Sequence, residues 1–462
     1  MAKSPFTKRD EQYDVTRRAL IKWTVAAGAA LGVSRSRVFD ILERTAGKNT
    51  AFAAAENLTA RSVHLMAGNG GLAWFQLMWP QVDVAKARNA TFAWHMPGQE
   101  MDVAGTYRPL VVGPDTPWAR LPAQRQVTCF VAGNNETHTA NAVSTTNLNG
   151  SNIHSVASAL QANSPSVIPI VAVGGVAVGT APGGFQPAGV GNADGIVGLF
   201  NSAASRAGGL LSRAADASLY KAHYDAFSQL NRAANRSTTK QSYQTASSAA
   251  QFLGTNLAAK LAITPEDLTR YGVNAGTPNN VSSIARTFIV AVKAFKMGLT
   301  NSIVLNAFND DPHGAFDGGA VNTRPAMHKT IFDAFMTDLT NTTDDNTLKA
   351  LADDTVISVA GDTPKNCLER GGWPDGTPGN SNLVFVYSAG HLKSGWFGGI
   401  NRMGQVQGVT AGGETTTYNG AMMARYATSA IAYAIAKRDE RLIAPFSNGT
   451  TVSGVFGNPK DQ

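Results

Sequence analysis

The 462-residue chain holds only two cysteines, Cys129 and Cys367, too few for a metal knuckle built on thiolates. In an oxidising compartment the two could pair. Cys129 also lies in the apolar run Val127–Val131, which suits a buried free thiol equally well. Charge is scarce as well: 15% of residues are charged, while Ala, Gly, Ser, Thr and Asn are plentiful, a composition that suits an exported globular protein. Most of the formal charge of +7 sits at the N-terminus. Residues 1–55 carry ten Lys/Arg against five Asp/Glu, which leaves +2 for residues 56–462. With no dense basic stripe interleaved with aromatics, a nucleic-acid partner is not expected.

Long hydrophobic runs are missing too. The most apolar N-terminal stretch, Trp23–Val33, is too short and too mild for a stable membrane span. No Cys follows it, so lipid anchoring at that point is excluded. Neither GxxxxGK[ST] nor a strand–GxGxxG–helix unit occurs, so the glycine-rich stretch 174–198 does not read as a phosphate loop. It reads as a flexible surface excursion. No short internal repeat is evident.

What is present begins with Thr16-Arg17-Arg18-Ala19-Leu20-Ile21-Lys22 ahead of the Trp23–Val33 stretch, a twin-arginine motif with a weakly hydrophobic core. Small-residue cleavage sites follow at Ala51-Phe52-Ala53 and Ala53-Ala54-Ala55. The expectation is export by the twin-arginine route to a periplasmic or extracellular location, with residues 1–55 as signal region. The charged stretch Arg35–Arg44 lies between the apolar core and those sites, so the signal is either unusually long or retained.

Beyond residue 55, short apolar runs alternate with helix-period segments. Strands are expected at 61–67, 127–132, 167–173, from Ser302 onward, at 355–360 and at 383–387. Helices are expected at 153–162, from Thr264-Pro265, at 282–298, from Thr323 and Pro325, and at 418–437. His328, beside Lys329, reads as solvated. The pattern predicts an α/β fold: a mainly parallel sheet with helices on both faces. A single domain is expected over 56–462, with a glycine-rich loop and polar helical insertion at 174–262.

Several strands end in polar residues: Asn69; Asn134 to His138; Asp310, Asp311 and His313; Asp362; His391. If the strands are parallel, these ends share one edge, where open α/β sheets bind ligands. The strongest is Asn309-Asp310-Asp311-Pro312-His313-Gly314, where a proline stiffens the backbone between a carboxylate and an imidazole. Carboxylates and imidazoles gathered there suit a divalent metal or an acid/base pair. The plainer alternative is a polar turn capping its own backbone.

Taken together, the twin-arginine leader, the glycine-rich turn after the first strand, the His138 loop, Asp311-Pro312-His313, Gly361-Asp362-Thr363-Pro364-Lys365-Asn366 and Ser388-Ala389-Gly390-His391-Leu392-Lys393-Ser394-Gly395 carry a resemblance. The chain from about residue 60 resembles the twin-arginine-exported, sulfatase-like family of the alkaline phosphatase superfamily, most clearly over 285–400. The resemblance implies an alkaline-phosphatase-like fold and metal-assisted hydrolysis of a small-molecule or polymer phosphate or sulfate ester. Asp311, His313 and Asp362 would be the metal ligands, with His138 and His391 assisting substrate. The chain departs from that pattern in four places, one of them the Arg missing from the Asp362 turn. It has no Cys-x-Pro-x-Arg segment, so a formylglycine nucleophile is excluded. Asn69-Gly70-Gly71 replaces an acidic turn, and Trp373-Pro374-Asp375-Gly376 offers Asp375 without a His. The ligand set is therefore sparse, and a second expectation stands beside the first: a catalytically silent relative acting as an extracytoplasmic binding or structural protein.

Overall fold

The computed structural model describes residues 59–67, 99–101, 110–134, 147–204, 252–306, 324–361 and 378–459, with short breaks inside these ranges. The chain forms two compact units. The larger comprises Glu56–Ser164, Ile168–Leu199 and Lys260–Gln462, and the smaller Met1–Ala55, Pro165–Val167 and Phe200–Ala259. Residues 1–55, where a signal region is expected, and residues 205–251 of the expected 174–262 insertion lie outside the described residues.

In chain order the strands are β1 (Arg61–Ala67), β2 (Gln99–Met101), β3 (Leu110–Val112), β4 (Thr128–Ala132), β5 (Asn147–Leu148), β6 (Ser151–Asn152), β7 (Ile170–Val173), β8 (Ala188–Val190), β9 (Ser302–Asn306), β10 (Thr355–Gly361), β11 (Asn382–Tyr387), β12 (Gly395–Phe397), β13 (Gly399–Ile400), β14 (Val406–Val409) and β15 (Thr415–Thr417). The helices are α1 (Ile153–Gln161), α2 (Ala193–Ala204), α3 (Leu257–Leu261), α4 (Pro265–Arg270), α5 (Asn279–Lys296), α6 (Arg324–Asn341), α7 (Gly420–Ile435) and α8 (Glu440–Ser447).

The eight-stranded main sheet runs β12-β4-β11-β10-β1-β9-β7-β8. All its neighbours pair in parallel except β11, which is antiparallel to both β10 and β4. The α/β fold and mostly parallel sheet are as the alternating pattern predicted. The reversed strand is the exception. Every residue of β1 and β10 is buried, as strands covered on both faces require.

Successive side chains go to opposite faces. On one face Met66, Phe130, Val356, Val384, Val386 and Phe397 form a core with Ile153, Val156 and Leu160 of α1 and Tyr426 and Ile431 of α7. Tyr387, one residue past Val386, serves the other face. Its ring lies 6.3 Å from Trp118, which meets Phe332 of α6 edge-on at 5.3 Å. Phe332 in turn meets Phe288 of α5. Helices therefore cover both faces.

The helix boundaries follow local chemistry. Thr264 caps α4 in a reciprocal capping box with Asp267, and Pro265 occupies the first turn, as the sequence predicts. The expected helix at 282–298 begins earlier, at Asn279, behind Pro278, which sits at the cap position without a side-chain cap. Gly298 ends it at φ +67°, with Gly298 N–H donating to the Phe295 carbonyl and Leu299 N–H to that of Ala294. That is a Schellman closure. Ala at this position meets both a left-handed backbone and the Asn346 amide, 2.6 Å from its Cβ. Gly298→Ala is expected to lower the urea-unfolding free energy by about 1 kcal/mol.

Of the two readings of Cys129, the structure has the buried free thiol, on β4. Two further expectations are corrected. His328 is 1% exposed, because α6 turns that side inward with Ile331, Phe332 and Phe335. The stretch after β7 is not a loose excursion. Val176, Val178 and Phe185 pack on Ile170, Ala172 and Val304, and hydrogen bonds fasten the segment to β6 and α1. Among the described residues, no helix is long and apolar enough to cross a membrane.

Candidate functional site at the carboxyl edge of the sheet

The central strand β1 is flanked by β10 on one side and β9 on the other, all parallel and in step: Ser62 pairs with Val356 and Ser302, Met66 with Ala360 and Asn306. Their carboxyl ends share one edge. From that edge leave residues 68–71, 307–314 and 362–366, the segments that hold Asn69, Asp311 with His313, and Asp362. These side chains, with His138 and Asp375, lie outside the described residues. The strand ends fix where they emerge. With strands about 4.8 Å apart, the exits of β9 and β10 lie about 10 Å from one another across β1.

The chain visits β7 and β9 on one side of β1, then crosses to β10 on the other. The crevice opened by such a reversal is the usual ligand site of an open α/β sheet. β4 runs in the same sense as β10, because each is antiparallel to β11, so Gly133 and Asn134 also end at this edge, just before the His138 segment.

His391 does not join them. It follows β11, the reversed strand, so it sits at the opposite edge. There Arg438 Nε donates to His391 Nδ1 at 3.2 Å, and the peptide carbonyl of His391 accepts from Asn458 N–H at 2.9 Å. Burial, then the neighbouring Arg438 and Lys437 charges, press its imidazole down to about 4. The placement expected from parallel strands fails because β11 is not parallel.

A cleft of about 510 Å³ opens near the end of β4. Its lining includes Asn134, Pro378, Gln405, Thr417, Tyr418 and Gly420, and carries no charged side chain among the described residues. Tyr418 donates its hydroxyl to the Gly133 carbonyl, and burial pushes its phenol up. Gly420 is required here: a Cβ would stand 2.5 Å from that same carbonyl oxygen. Amides and hydroxyls on a half-open wall can hydrogen-bond a neutral polar ligand.

One polar cluster went unread in the sequence. His64 in β1 and His154 in α1 are 0% and 1% exposed, with ring centroids 5.6 Å apart. Around them Gln161 Nε2 donates to the Ala60 and Asn301 carbonyls and to Ser62 Oγ. The available signal was the polar stripe His154, Ser158, Gln161 at i, i+4, i+7 on a mostly apolar helix.

No family model matches the sequence, no curated protein matches it, and no solved structure matches the chain. Its activity has to be judged from its own geometry.

Proposed function

We propose that the chain is an exported, alkaline-phosphatase-like hydrolase of phosphate or sulfate esters, with a divalent metal held at the carboxyl edge by Asp311, His313 and Asp362. The single observation that carries this reading is that β9 and β10, the strands leading to those residues, flank β1 in parallel where the sheet order reverses. Two carboxylates and one imidazole form an oxygen-rich, borderline donor set that suits Zn²⁺, Mn²⁺ or Mg²⁺. When bound, such an ion would polarise the ester oxygen and lower the pKa of a coordinated water. Asp311 and Asp362 would supply negative charge to balance such an ion, and His313 the imidazole ligand. His138, six residues past the end of β4 in sequence, would hand a proton to the leaving oxygen. His391 has no part in this proposal.

Metal analysis of the purified wild type is expected to give bound divalent ion that Asp311→Ala and Asp362→Asn lose. Turnover of aryl phosphates or aryl sulfates is expected to fall about 100-fold or more in the same variants, since losing a ligand exceeds losing a group behind one. Equal metal content in wild type and Asp311→Ala would sink the ligand assignment. The uncharged cleft at Asn134, Gln405 and Thr417 favours a second reading, an extracytoplasmic protein that binds a neutral polar ligand without turning it over. Metal-free wild-type protein with no esterase activity would select it.

A further inference from the structure

His64 lies mid-strand in β1, packed beneath α1. Its Nδ1 is 2.7 Å from Ser358 Oγ on β10, and its Nε2 is buried with no hydrogen-bond partner among the described residues. A neutral ring tolerates this, because one nitrogen satisfies Ser358 and the other can carry a lone pair. An imidazolium has N–H on both nitrogens, so charging His64 leaves a buried donor with nothing to accept it. His154 Nδ1 is 3.3 Å from the Ala177 carbonyl. A carbonyl only accepts, so the neutral His154 carries its proton on Nδ1. His154 also sits in the first turn of α1, where a positive charge opposes the helix dipole.

Neither ring has an acidic partner among the described residues. α1 carries no Asp, Glu, Lys or Arg, nor do β9, β10 or the segment 174–187. α7, packed on α1, brings Arg425, Tyr426 and Tyr433 and no carboxylate, and α8, also packed on α1, brings Arg441 and Glu440, whose Oε1 accepts from the Val452 and Ser453 amides. Each ring therefore faces mainly the other, and two imidazolium rings 5.6 Å apart repel in a dry interior. Burial and the neighbouring imidazole accordingly lower His64, while burial takes His154 down to about 4.

The pair stands where segment 174–187 meets α1 and the sheet. Segment 174–187 is tied to α1 by the His154–Ala177 bond and by Ser158, which donates to Phe185 O and accepts from Phe185 N, and to the preceding β6 by Ser151 Oγ, which donates to Thr180 O. At its start, Asn306 Nδ2 donates to Gly174 O at the end of β9, where the 307–314 segment leaves.

We propose that His64 and His154 form an acid-operated latch that keeps the first turn of α1 and segment 174–187 closed on the carboxyl edge beside β9 only while both rings are neutral. The sign follows from linkage. In the opened state the rings bind protons below about pH 6.5, whereas in the closed state His154 does so only near pH 4. Closure is therefore fully present above about pH 6.5 and weakens as pH falls through that window. This latch stands independently of the hydrolase proposal.

Hydrogen–deuterium exchange of the full-length protein tests it, at about pH 7 and about pH 5, with labelling times scaled for intrinsic exchange. Protection at 153–161 and 174–187 is expected to fall about tenfold or more at the lower pH, while β1 and β10 stay protected. The double variant His64→Gln/His154→Gln, which cannot titrate there, is expected to lose this difference. Imidazole NMR of the wild type gives an answer even if that variant does not fold: both rings are expected to stay neutral at about pH 6. Uniform protection at both pH values, loss across all elements together, a pH response retained in the double variant, or two rings titrating normally would each overturn the latch.

Discussion

Replacing Arg61 with Met is expected to destabilise the protein by about 3–5 kcal/mol, read as a lower urea midpoint at unchanged slope. Arg61 opens β1 and is 1% exposed, as is its partner Asp344. Its Nη2 donates to Asp344 Oδ2, and its Nη1 lies 3.6 Å from Asp354 Oδ2. Lys437 Nζ holds the other oxygen of Asp354 at 2.6 Å. The cluster fastens the start of the central strand to the connection between α6 and β10, at the edge opposite the candidate site. Met matches the apolar stem but leaves Asp344 charged and buried without its partner. That unpaired charge, more than the lost attraction, sets the size of the effect.

The double variant Arg61→Met/Asp344→Leu removes both charges and is expected to be more stable than Arg61→Met alone. It should recover only part of the loss, because Asp344 Oδ1 also accepts from the Asn346 and Thr347 amides at 2.7 and 3.3 Å. A cost below about 1 kcal/mol for Arg61→Met would mean that water reaches the pair, as it does for exposed ion pairs.

Phe288→Ala is expected to cost about 3–5 kcal/mol, and Phe288→Leu clearly less. Phe288 is fully buried on α5, stacked on Phe335 with centroids 4.0 Å apart and edge-on to Phe332 at 5.3 Å. Those two residues belong to α6, so one ring joins the two helices on this face of the sheet. Through Phe332 the contact continues to Trp118 and Tyr387, and Trp118 Nε1 donates to the Phe332 carbonyl at 3.1 Å. Truncation leaves a cavity between stiff rings that cannot collapse to fill it, which puts the expected loss in the upper part of the usual range. Calorimetric or urea unfolding of the two variants would measure the difference. Equal stability of Ala and Leu at 288 would mean the rings repack.

Much of the fold was legible because short-range rules govern it. Fully buried strands read as apolar runs, and the strand expected at 61–67 is the strand found. Thr264-Pro265 announced a helix start, since a cap and its first turn are neighbours in sequence. Gly298 announced a helix end because few residues other than glycine adopt its left-handed backbone. The stretch Asn309–Gly314 was readable as a strand-end corner, and β9 does end at the edge from which it departs.

Other features needed the folded chain. Strand direction is not written in an apolar run: Asn382–Tyr387 looks like its parallel neighbours, yet it reverses and carries His391 to the wrong edge. An Arg opening a strand gives no sign that its carboxylate partner lies 283 residues away. A glycine-rich stretch reads as loose until Val176, Val178 and Phe185 find the face of β7 and β9. His64 and His154 look unremarked in sequence because neither neighbourhood holds its partner. The sequence by itself determined the period, the caps and the composition of each element, since these depend on residues a few positions apart. The tertiary structure decided which ends meet, which charges are buried and which imidazoles face one another, because those depend on contacts between residues distant along the chain.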